Sequence, residues 1–224
     1  MYQHYRLDME KMAIFGGTFD PVHWGHLLMA ETALSQFGLD RVLWLPDPSP
    51  PHKLRRVWVD WEQRREMVRI AIADCPDFLL APQPKHPSHI SYAIETFLYL
   101  QQLYPNTQWY WIIGSDAFQT LPQWHRCQEI GKFCHWLVAP RPSLGEGGRG
   151  DRQASLLDNT DVVAQMAALG VQLCFSVLEM PWIGISSSLI RRYCLESRDL
   201  RYLVPESVRI YITTKKFYQA QPEK

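Results

Sequence analysis

Short apolar runs alternate with segments of helical periodicity, and this alternation is the strongest constraint on the fold. The runs that predict strands lie at 12–16, 42–46, 78–82, 109–114 and 135–140, with a sixth within 171–180. The segments that predict helices lie at 24–37, 60–73, 91–103, 187–196 and 205–217. Because parallel strands of one sheet need crossover connections, this order predicts an α/β fold. We expect a doubly wound, Rossmann-like parallel sheet with a small C-terminal helical part.

The length of 224 residues fits a single domain over 1–224. Ligands of a doubly wound sheet bind beyond the carboxyl ends of its strands, near the point where the strand order reverses. The loops after the first, fourth and sixth strands are therefore predicted to carry the function. Residues 1–11 form an N-terminal extension without an assigned role, and the stretch 143–170 is longer than expected.

Charge and composition exclude some classes of protein. Lys plus Arg and Asp plus Glu both number 23, and this zero net charge argues against a protein that coats nucleic acid. A local basic cleft stays open as an alternative. A hydrophobic fraction of 46% with 21% charged residues excludes wholesale disorder. Four arginines are predicted to form a solvated basic surface: Arg55, Arg56, Arg64 and Arg65.

The cysteines and the N-terminal residues indicate the cellular compartment of the protein. The five cysteines are odd in number and include no C-x-x-C pair, so neither a disulfide framework nor a zinc knuckle is indicated. The N-terminus shows no apolar signal region, and no apolar run approaches the roughly 20 residues of a membrane span. We expect a cytoplasmic protein without a membrane partner.

A glycine-rich stretch at 143–151 imitates a dinucleotide fingerprint. Gly145, Gly147 and Gly150 fit G-x-G-x-x-G, but that motif must follow a strand directly and open a helix. Here four residues intervene after the nearest apolar run, and the first strand is far away. We interpret 143–151 as a mobile surface loop and not as a cofactor site.

The segment GGTFDPVHWGHL at 16–27 predicts a phosphate site. Gly16 and Gly17 remove side chains where a backbone must approach a ligand, and Thr18 adds a hydroxyl. His23 and His26 stand at the start of a predicted helix, where N–H groups and the helix dipole attract anions. Both imidazoles are expected to be neutral or cationic near neutral pH. Zinc-binding histidines of a helix stand four apart with a Glu between them, so no metal site is predicted.

This segment resembles the (H/T)-x-G-H motif of the nucleotidyltransferase superfamily. Further segments resemble its nicotinate-nucleotide adenylyltransferase branch, in the order expected for that branch. They are PPHK at 50–53, SYAIETF at 91–97, IIGSDAF at 112–118, LPQWH at 121–125, ISSSLIR at 185–191 and RYLVPESVRIYI at 201–212. The resemblance covers about residues 12–215, including the C-terminal motif and helices at 185–217. It implies the nucleotidyltransferase fold.

The resemblance also implies a reaction. The 5′-phosphate of nicotinate mononucleotide attacks the α-phosphorus of ATP, which gives nicotinate adenine dinucleotide and pyrophosphate. ATP and nicotinate mononucleotide are the implied partners, and a homo-oligomer is left open. Mg²⁺ is implied by the ATP chemistry and is expected to be held mainly by substrate phosphates and water, since no carboxylate pair marks a site.

Site residues carried over from the family fall into three groups. The catalytic group is His23, His26, Lys53 and Arg191. The ATP-binding group is Gly16, Gly17, Thr18, Phe19, His26, Gly114, Asp116, Ile185, Ser186, Ser187 and Arg191. The nicotinate-mononucleotide group is Thr18, Lys53, Tyr92, Ala93, Trp124, His125 and Arg141. Asp116 is alternatively a helix N-cap, and Trp124, which stacks on the pyridine ring in the family, is alternatively a core residue.

Departures from the family pattern leave substrate choice open. Ser188 keeps the hydroxyl of the usual Thr, whereas Ala93 loses it, and Ser143 replaces a common Gly. The alternatives are an enzyme that prefers nicotinamide mononucleotide or accepts both, and a non-catalytic nucleotide-binding regulator. Pantetheine-phosphate adenylyltransferases lack the element around Trp124, and aminoacyl-tRNA synthetases carry a K-M-S-K-S loop that is missing from this sequence.

Overall fold

One parallel sheet of six strands organises the part of the chain that the computed structural model describes, which is residues 9–48, 57–82, 92–140 and 152–219. The strands are β1 Glu10–Gly17, β2 Arg41–Pro46, β3 Phe78–Leu80, β4 Thr107–Gly114, β5 His135–Ala139 and β6 Cys174–Val177. Their order across the sheet is β3-β2-β1-β4-β5-β6, and all neighbours are parallel. The order reverses between β1 and β4, which confirms the doubly wound α/β sheet.

Helices cover both faces of the sheet. They are α1 Trp24–Phe37, α2 Trp61–Ala71, α3 Ala93–Leu103, α4 Ser115–Gln119, α5 Cys127–Phe133, α6 Arg152–Ala168, α7 Ser187–Leu195 and α8 Glu206–Lys215. Ala13 and Phe15 of β1 pack with α1, α2, α7 and α8, while Met12 and Ile14 pack with α3, α4, α5 and α6. Successive side chains of a strand point to opposite faces, so β1 is buried on both sides.

The predicted elements are confirmed in type and corrected at their ends. Strand β1 already includes Glu10 and Lys11, so part of the expected extension 1–11 belongs to the sheet, and 1–8 lies outside the described residues. Strand β3 stops at Leu80 instead of residue 82, and β6 occupies only Cys174–Val177. Both lie at the edges of the sheet, where a strand has a partner on one side only.

Helices α5 and α6 were not predicted, and α4 was considered only through the alternative that Asp116 is a helix N-cap. Helices α4 and α5 are short, at five and seven residues. Helix α6 occupies most of the long stretch 143–170, and its Val162 and Met166 are buried in the same cluster as α5. None of the described helices is long and apolar enough to cross a membrane.

Two helix ends are defined by the residues that flank them. Gly38 follows α1 with φ of 57°, in the left-handed region, and its N–H donates to the carbonyl of Leu34. Asp60 precedes α2, and its carboxylate accepts a hydrogen bond of 2.9 Å from the N–H of Gln63. Each residue satisfies a backbone group that the helix itself leaves without a partner.

Replacing Gly38 by alanine tests the first of these ends. No atom lies within 4 Å of a Cβ added at Gly38, so the only penalty is the left-handed backbone. We expect Gly38→Ala to lower the free energy of unfolding by about 1–2 kcal/mol in urea titrations. Gly184→Ala is the matched control, because Gly184 also has open space and its φ is not positive. Equal losses in the two variants would contradict the assignment.

Candidate active site

The site lies where the strand order reverses, beyond the carboxyl ends of β1 and β4. Strand β1 ends at Gly17 and leads through a short loop into α1, whose N-cap is His23. Strand β4 ends at Gly114, directly before α4. The loops after the first and fourth strands thus lie where doubly wound sheets bind ligands, and their role in function stays a prediction.

Two glycines of the motif are required by close packing. A Cβ on Gly17 would lie 2.9 Å from the ring of Phe19, and a Cβ on Gly25 would lie 3.0 Å from the ring of His23. The same Cβ on Gly25 would lie 3.6 Å from the carbonyl oxygen of Ile185. Gly25 therefore makes room for the His23 ring, whereas the contact with Ile185 is an ordinary one. Gly16 is less constrained, since its Cβ would meet Trp111 at 3.7 Å.

His23 and His26 form a stacked pair at the start of α1. Their ring centroids lie 3.7 Å apart, and the backbone N–H of His23 donates to Nδ1 of His26 at 3.2 Å. His23 is buried, and burial lowers its pKa to about 3. The prediction that both rings switch between neutral and cationic forms is wrong for His23, which is neutral at physiological pH. Its Nδ1 has no hydrogen-bond partner among the described residues.

The segment ISSSLIR packs against the loop after β1. Ser187 donates through Oγ to the carbonyl of Pro21 at 2.9 Å, and Arg191 donates through Nη1 to the carbonyl of Asp20. Ser186 is the N-cap of α7 and accepts from the N–H of Leu189 at 3.2 Å. The segment ISSSLIR at the amino end of α7 thus lies against the loop that leads into α1.

Arg191 and its neighbour Arg192 point in different directions. A second N–H group of Arg191, Nη2, donates to Oγ of Ser188 at 3.1 Å. Arg192 instead lies 3.9 Å from the carboxylate of Glu196, on the exposed side of α7. The structure therefore brings Arg191, and not Arg192, to the loop after β1.

Asp116 lies in the first turn of α4 and is exposed. The N-cap of α4 is Gly114, and no side chain caps this helix. The alternative that Asp116 is the N-cap is therefore wrong. Asp116 is the second residue after the end of β4, next to the reversal point of the sheet.

Four residues predicted to bind the mononucleotide lie around the starts of α3 and α5. Tyr92 is the N-cap of α3 and Ala93 its first residue. The Tyr92 ring lies 4.1 Å from the ring of His125. Trp124 precedes His125, and its indole N–H donates to Oγ1 of Thr120 at 3.0 Å. The structure thus brings Tyr92 and His125 together beside Trp124.

Trp124 contacts the core without being enclosed by it. Its ring lies edge-on to Trp111 at 6.2 Å and to Trp136 at 6.0 Å, and the residue is only partly buried. The same Trp111 faces Gly16 of β1. One side of the Trp124 indole therefore packs against the core, as the alternative of a core residue predicted. Stacking of its other side on a pyridine ring stays a prediction.

Several predicted residues lie outside the described ranges. They are Lys53 with the rest of PPHK, Arg141 and the glycine-rich loop 143–151. Their expected roles stay predictions.

Comparisons with known proteins identify the family. The cytidylyltransferase-like family model matches residues 14–193. A relative from Trichormus variabilis, named "probable nicotinate-nucleotide adenylyltransferase", is 44% identical over 215 residues, which are 96% of this chain and 100% of the relative. A relative of the same name from Geobacillus kaustophilus is 34% identical over 215 residues, 95% of this chain and 88% of the relative. The chain belongs to the nicotinate-nucleotide adenylyltransferase family.

A solved structure agrees with this family at the level of the fold. The Plasmodium falciparum nicotinic acid mononucleotide adenylyltransferase, determined in complex with NaAD, superposes with a TM-score of 0.70. The match covers 93% of this chain and 97% of that one, at 16% sequence identity. This likeness shows the nucleotidyltransferase fold, and the family shown by the relatives makes the chain an enzyme.

Sequence reasoning missed one buried residue that contacts the loop after β1 of this adenylyltransferase. Arg64 was predicted to lie on a solvated basic surface, but it is 1% exposed. Its Nη1 donates to the carbonyl of Thr18 at 2.6 Å, its Nη2 to the carbonyl of Asp47 at 2.8 Å, and its Nε to the carbonyl of Val59 at 3.1 Å. Helical periodicity could have indicated the burial of Arg64, because it lies three and four residues before Met67 and Val68, on the buried face of the same helix.

The described residues contain no group of three or more His, Cys, Asp or Glu side chains that could hold a metal ion. Asp20 is a buried carboxylate in the loop after β1. One of its carboxylate oxygens accepts from the hydroxyl of Tyr218 at 2.7 Å, and the other accepts from the N–H of Trp58 at 2.9 Å. Both oxygens of this buried carboxylate are therefore engaged within the protein.

The burial of His23 predicts a pH dependence of stability. Its pKa is about 3 in the folded state and about 6.5 when exposed, so the unfolded chain binds the proton first. Its contribution is complete above pH 6.5 and is lost as the pH falls towards 3, with a slope of at most about 1.4 kcal/mol per pH unit. We expect the free energy of unfolding of His23→Asn to fall less steeply than that of the parent between pH 6.5 and 4. Parallel curves in urea titrations would contradict a buried neutral His23.

Proposed function

We propose that this chain transfers the adenylyl group of ATP to nicotinate mononucleotide, forming nicotinate adenine dinucleotide in NAD biosynthesis. A phosphate oxygen of the mononucleotide forms a bond to the α-phosphorus, while the bond to the β-phosphate bridging oxygen breaks and pyrophosphate leaves. The observation that carries the proposal is the meeting of two helix amino ends, of α1 and α7, beside His23 and Arg191 at the reversal point of the sheet. Relatives named as nicotinate-nucleotide adenylyltransferases over nearly the whole chain support it.

The donors at this point suit phosphoryl chemistry. Such a reaction needs two anions aligned in line and fixed donors for charge that spreads over phosphate oxygens. The amino ends of α1 and α7 direct the positive ends of their helix dipoles to this point, and the N–H groups of Trp24, His26 and Leu189 there already donate within the protein. The neutral His23, whose Nδ1 lacks a partner among the described residues, and the stacked His26 add imidazole nitrogens. In this proposal His26, adjacent to both Phe19 and His23, contacts phosphate oxygens of ATP.

Arg191 supplies the positive charge on the α7 side. Its guanidinium carries five N–H donors, of which two are used by the Asp20 carbonyl and the Ser188 hydroxyl. We infer that others bind phosphate oxygens, because a guanidinium can hold a phosphate through two parallel hydrogen bonds. Lys53 and Arg141 stay predicted phosphate and mononucleotide contacts.

Mg²⁺ enters this proposal as part of the substrate. Magnesium usually keeps several waters and binds through substrate phosphates with one or two carboxylates. The engagement of both Asp20 oxygens fits a metal that arrives with the triphosphate. When bound, the ion would neutralise charge on the leaving pyrophosphate.

The start of α3 supports nicotinate mononucleotide as the preferred substrate. Ala93 is the first residue of this 11-residue helix, so backbone N–H groups there lack helical partners and favour an anion such as a carboxylate. An amide would turn its NH₂ group towards one of these donors. Loss of the usual threonine hydroxyl at Ala93 is the observation that favours the alternative, an enzyme accepting both mononucleotides.

Two wider expectations remain proposals. The five cysteines are unpaired, which agrees with the reducing cytoplasm expected from the sequence. The possible homo-oligomer stays a prediction, which the molar mass measured by size-exclusion chromatography with light scattering would test.

Substrate choice is tested by the two mononucleotides at one pH and one salt concentration. We expect kcat/KM for nicotinate mononucleotide to exceed that for nicotinamide mononucleotide by roughly 5- to 150-fold, because an opposed buried donor costs about 1–3 kcal/mol. Trp124→Ala should weaken both substrates alike, since stacking does not distinguish acid from amide. A ratio near one would establish dual specificity instead.

The role of Arg191 is tested against its neighbour. Arg191→Ala should weaken binding of a non-hydrolysable ATP analogue by about 10- to 150-fold, the loss of a charged hydrogen bond. Arg192→Ala is the control, and we expect parental affinity because its guanidinium faces Glu196. Isothermal titration calorimetry on variants with parental circular dichroism decides the point. Equal affinities of both variants would refute the proposed phosphate contact.

A further inference from the structure

The segment 18–20 after β1 is strained at Phe19. Phe19 adopts φ of 49°, in the left-handed region that a bulky side chain disfavours. Such a conformation persists only where the surroundings hold it in place. The residues that hold it come from segments distant in the sequence.

Arg64 is the main holder of this segment from the α2 side. Its three hydrogen bonds join carbonyls after β1, after β2 and before α2, namely those of Thr18, Asp47 and Val59. Burial lowers the pKa of Arg64, and the nearby carboxylates of Asp20 and Asp47 oppose this shift. A buried guanidinium is tolerated only when its donors are satisfied, so the cation and the three carbonyls need one another.

Tyr218 holds the same segment from the C-terminal side. Its hydroxyl donates to the Asp20 carboxylate at 2.7 Å, and the whole side chain is 4% exposed. Burial raises the pKa of Tyr218, so the hydroxyl keeps its proton and remains the donor. The second oxygen of Asp20 binds the N–H of Trp58. The region just after α8 is thus tied to the loop after β1.

A displacement of this segment reaches the histidines directly. The Phe19 ring lies 5.0 Å from the ring of His26, nearly perpendicular to it, and His26 in turn stacks on His23. Gly17 adjoins the same ring, because a Cβ there would clash with it. The hydrogen bond from Arg64 to the Thr18 carbonyl therefore acts one residue away from the contact that places His26.

We propose that Arg64 is a positioning residue for adenylyl transfer, acting with the Asp20–Tyr218 pair as a clamp on the strained segment 18–20. The clamp fixes Phe19 in its left-handed conformation and through it the ring of His26. The catalytic role of the clamp rests on the proposed function, whereas the contacts that form the clamp do not depend on it. Arg64 does not contact substrate in this proposal.

Kinetics and folding of matched variants test the clamp. Arg64→Gln should lower kcat by about ten- to a hundredfold with smaller changes in KM for either substrate, because misplaced groups lose transition-state contacts. Arg64→Lys should recover part of this loss, since an ammonium cannot serve three diverging carbonyls. Arg69→Gln is the control, an exposed arginine of the same helix paired with Glu66. Assays run well below each variant's Tm exclude unfolding as the cause.

Tyr218→Phe keeps the test decisive if Arg64→Gln fails to fold. It removes only the hydroxyl, and we expect kcat to fall in the same direction by a smaller factor. The proton resonances of the imidazole Cε1–H groups of His23 and His26 supply a readout independent of turnover. They should move in Arg64→Gln and Tyr218→Phe and keep their positions in Arg69→Gln.

Two results would overturn the clamp. One is a folded Arg64→Gln enzyme with kcat within about twofold of the parent. The other is a Tyr218→Phe enzyme with parental kcat and unmoved histidine resonances. A parent that forms no dinucleotide while the resonances move as expected would refute the proposed function and leave the clamp standing.

Discussion

The carbonyl groups between β1 and α1 impose the constraint on which the site depends. They belong to no strand or helix ladder, and a buried carbonyl without a donor is costly. The side chain of Arg64 donates a hydrogen bond to the carbonyl of Thr18. Arg191 donates to the carbonyl of Asp20, and Ser187 donates to that of Pro21. Helices α2 and α7 are thereby fixed on one loop. The approach of two helix amino ends at the reversal point follows from satisfying these acceptors.

Much of the fold could be predicted because the sheet is buried on both faces. Continuous apolar runs mark the centres of β1, β2, β4 and β5, and the connecting helices follow from the spacing of apolar residues. The motif 16–27 could also be read, since Gly17 and Gly25 are fixed by close packing within the motif itself. Features of this kind can be predicted because neighbouring residues in the sequence determine them.

The remaining features depend on contacts that the sequence does not bring together. Arg64 binds carbonyls 46 and 17 residues away, so its neighbours in sequence suggest a solvated surface. The charge state of His23 is set by burial, which depends on the assembled fold. Helix α6 was missed because its polar residues obscure the apolar residues that pack inwards, such as Val162 and Met166.

A chain without net charge must bind two anionic substrates by local means. His23 contributes a neutral ring, so the attraction has to come from helix amino ends, oriented N–H groups and a few cations such as Arg191. Donors of this kind act by position, and their effect on a transition state is lost when they shift. The strain at Phe19 is compatible with this requirement only because side chains from α2, α7 and the C-terminal region hold it. In this adenylyltransferase fold the residues that position the site therefore extend well beyond the motifs that identify it.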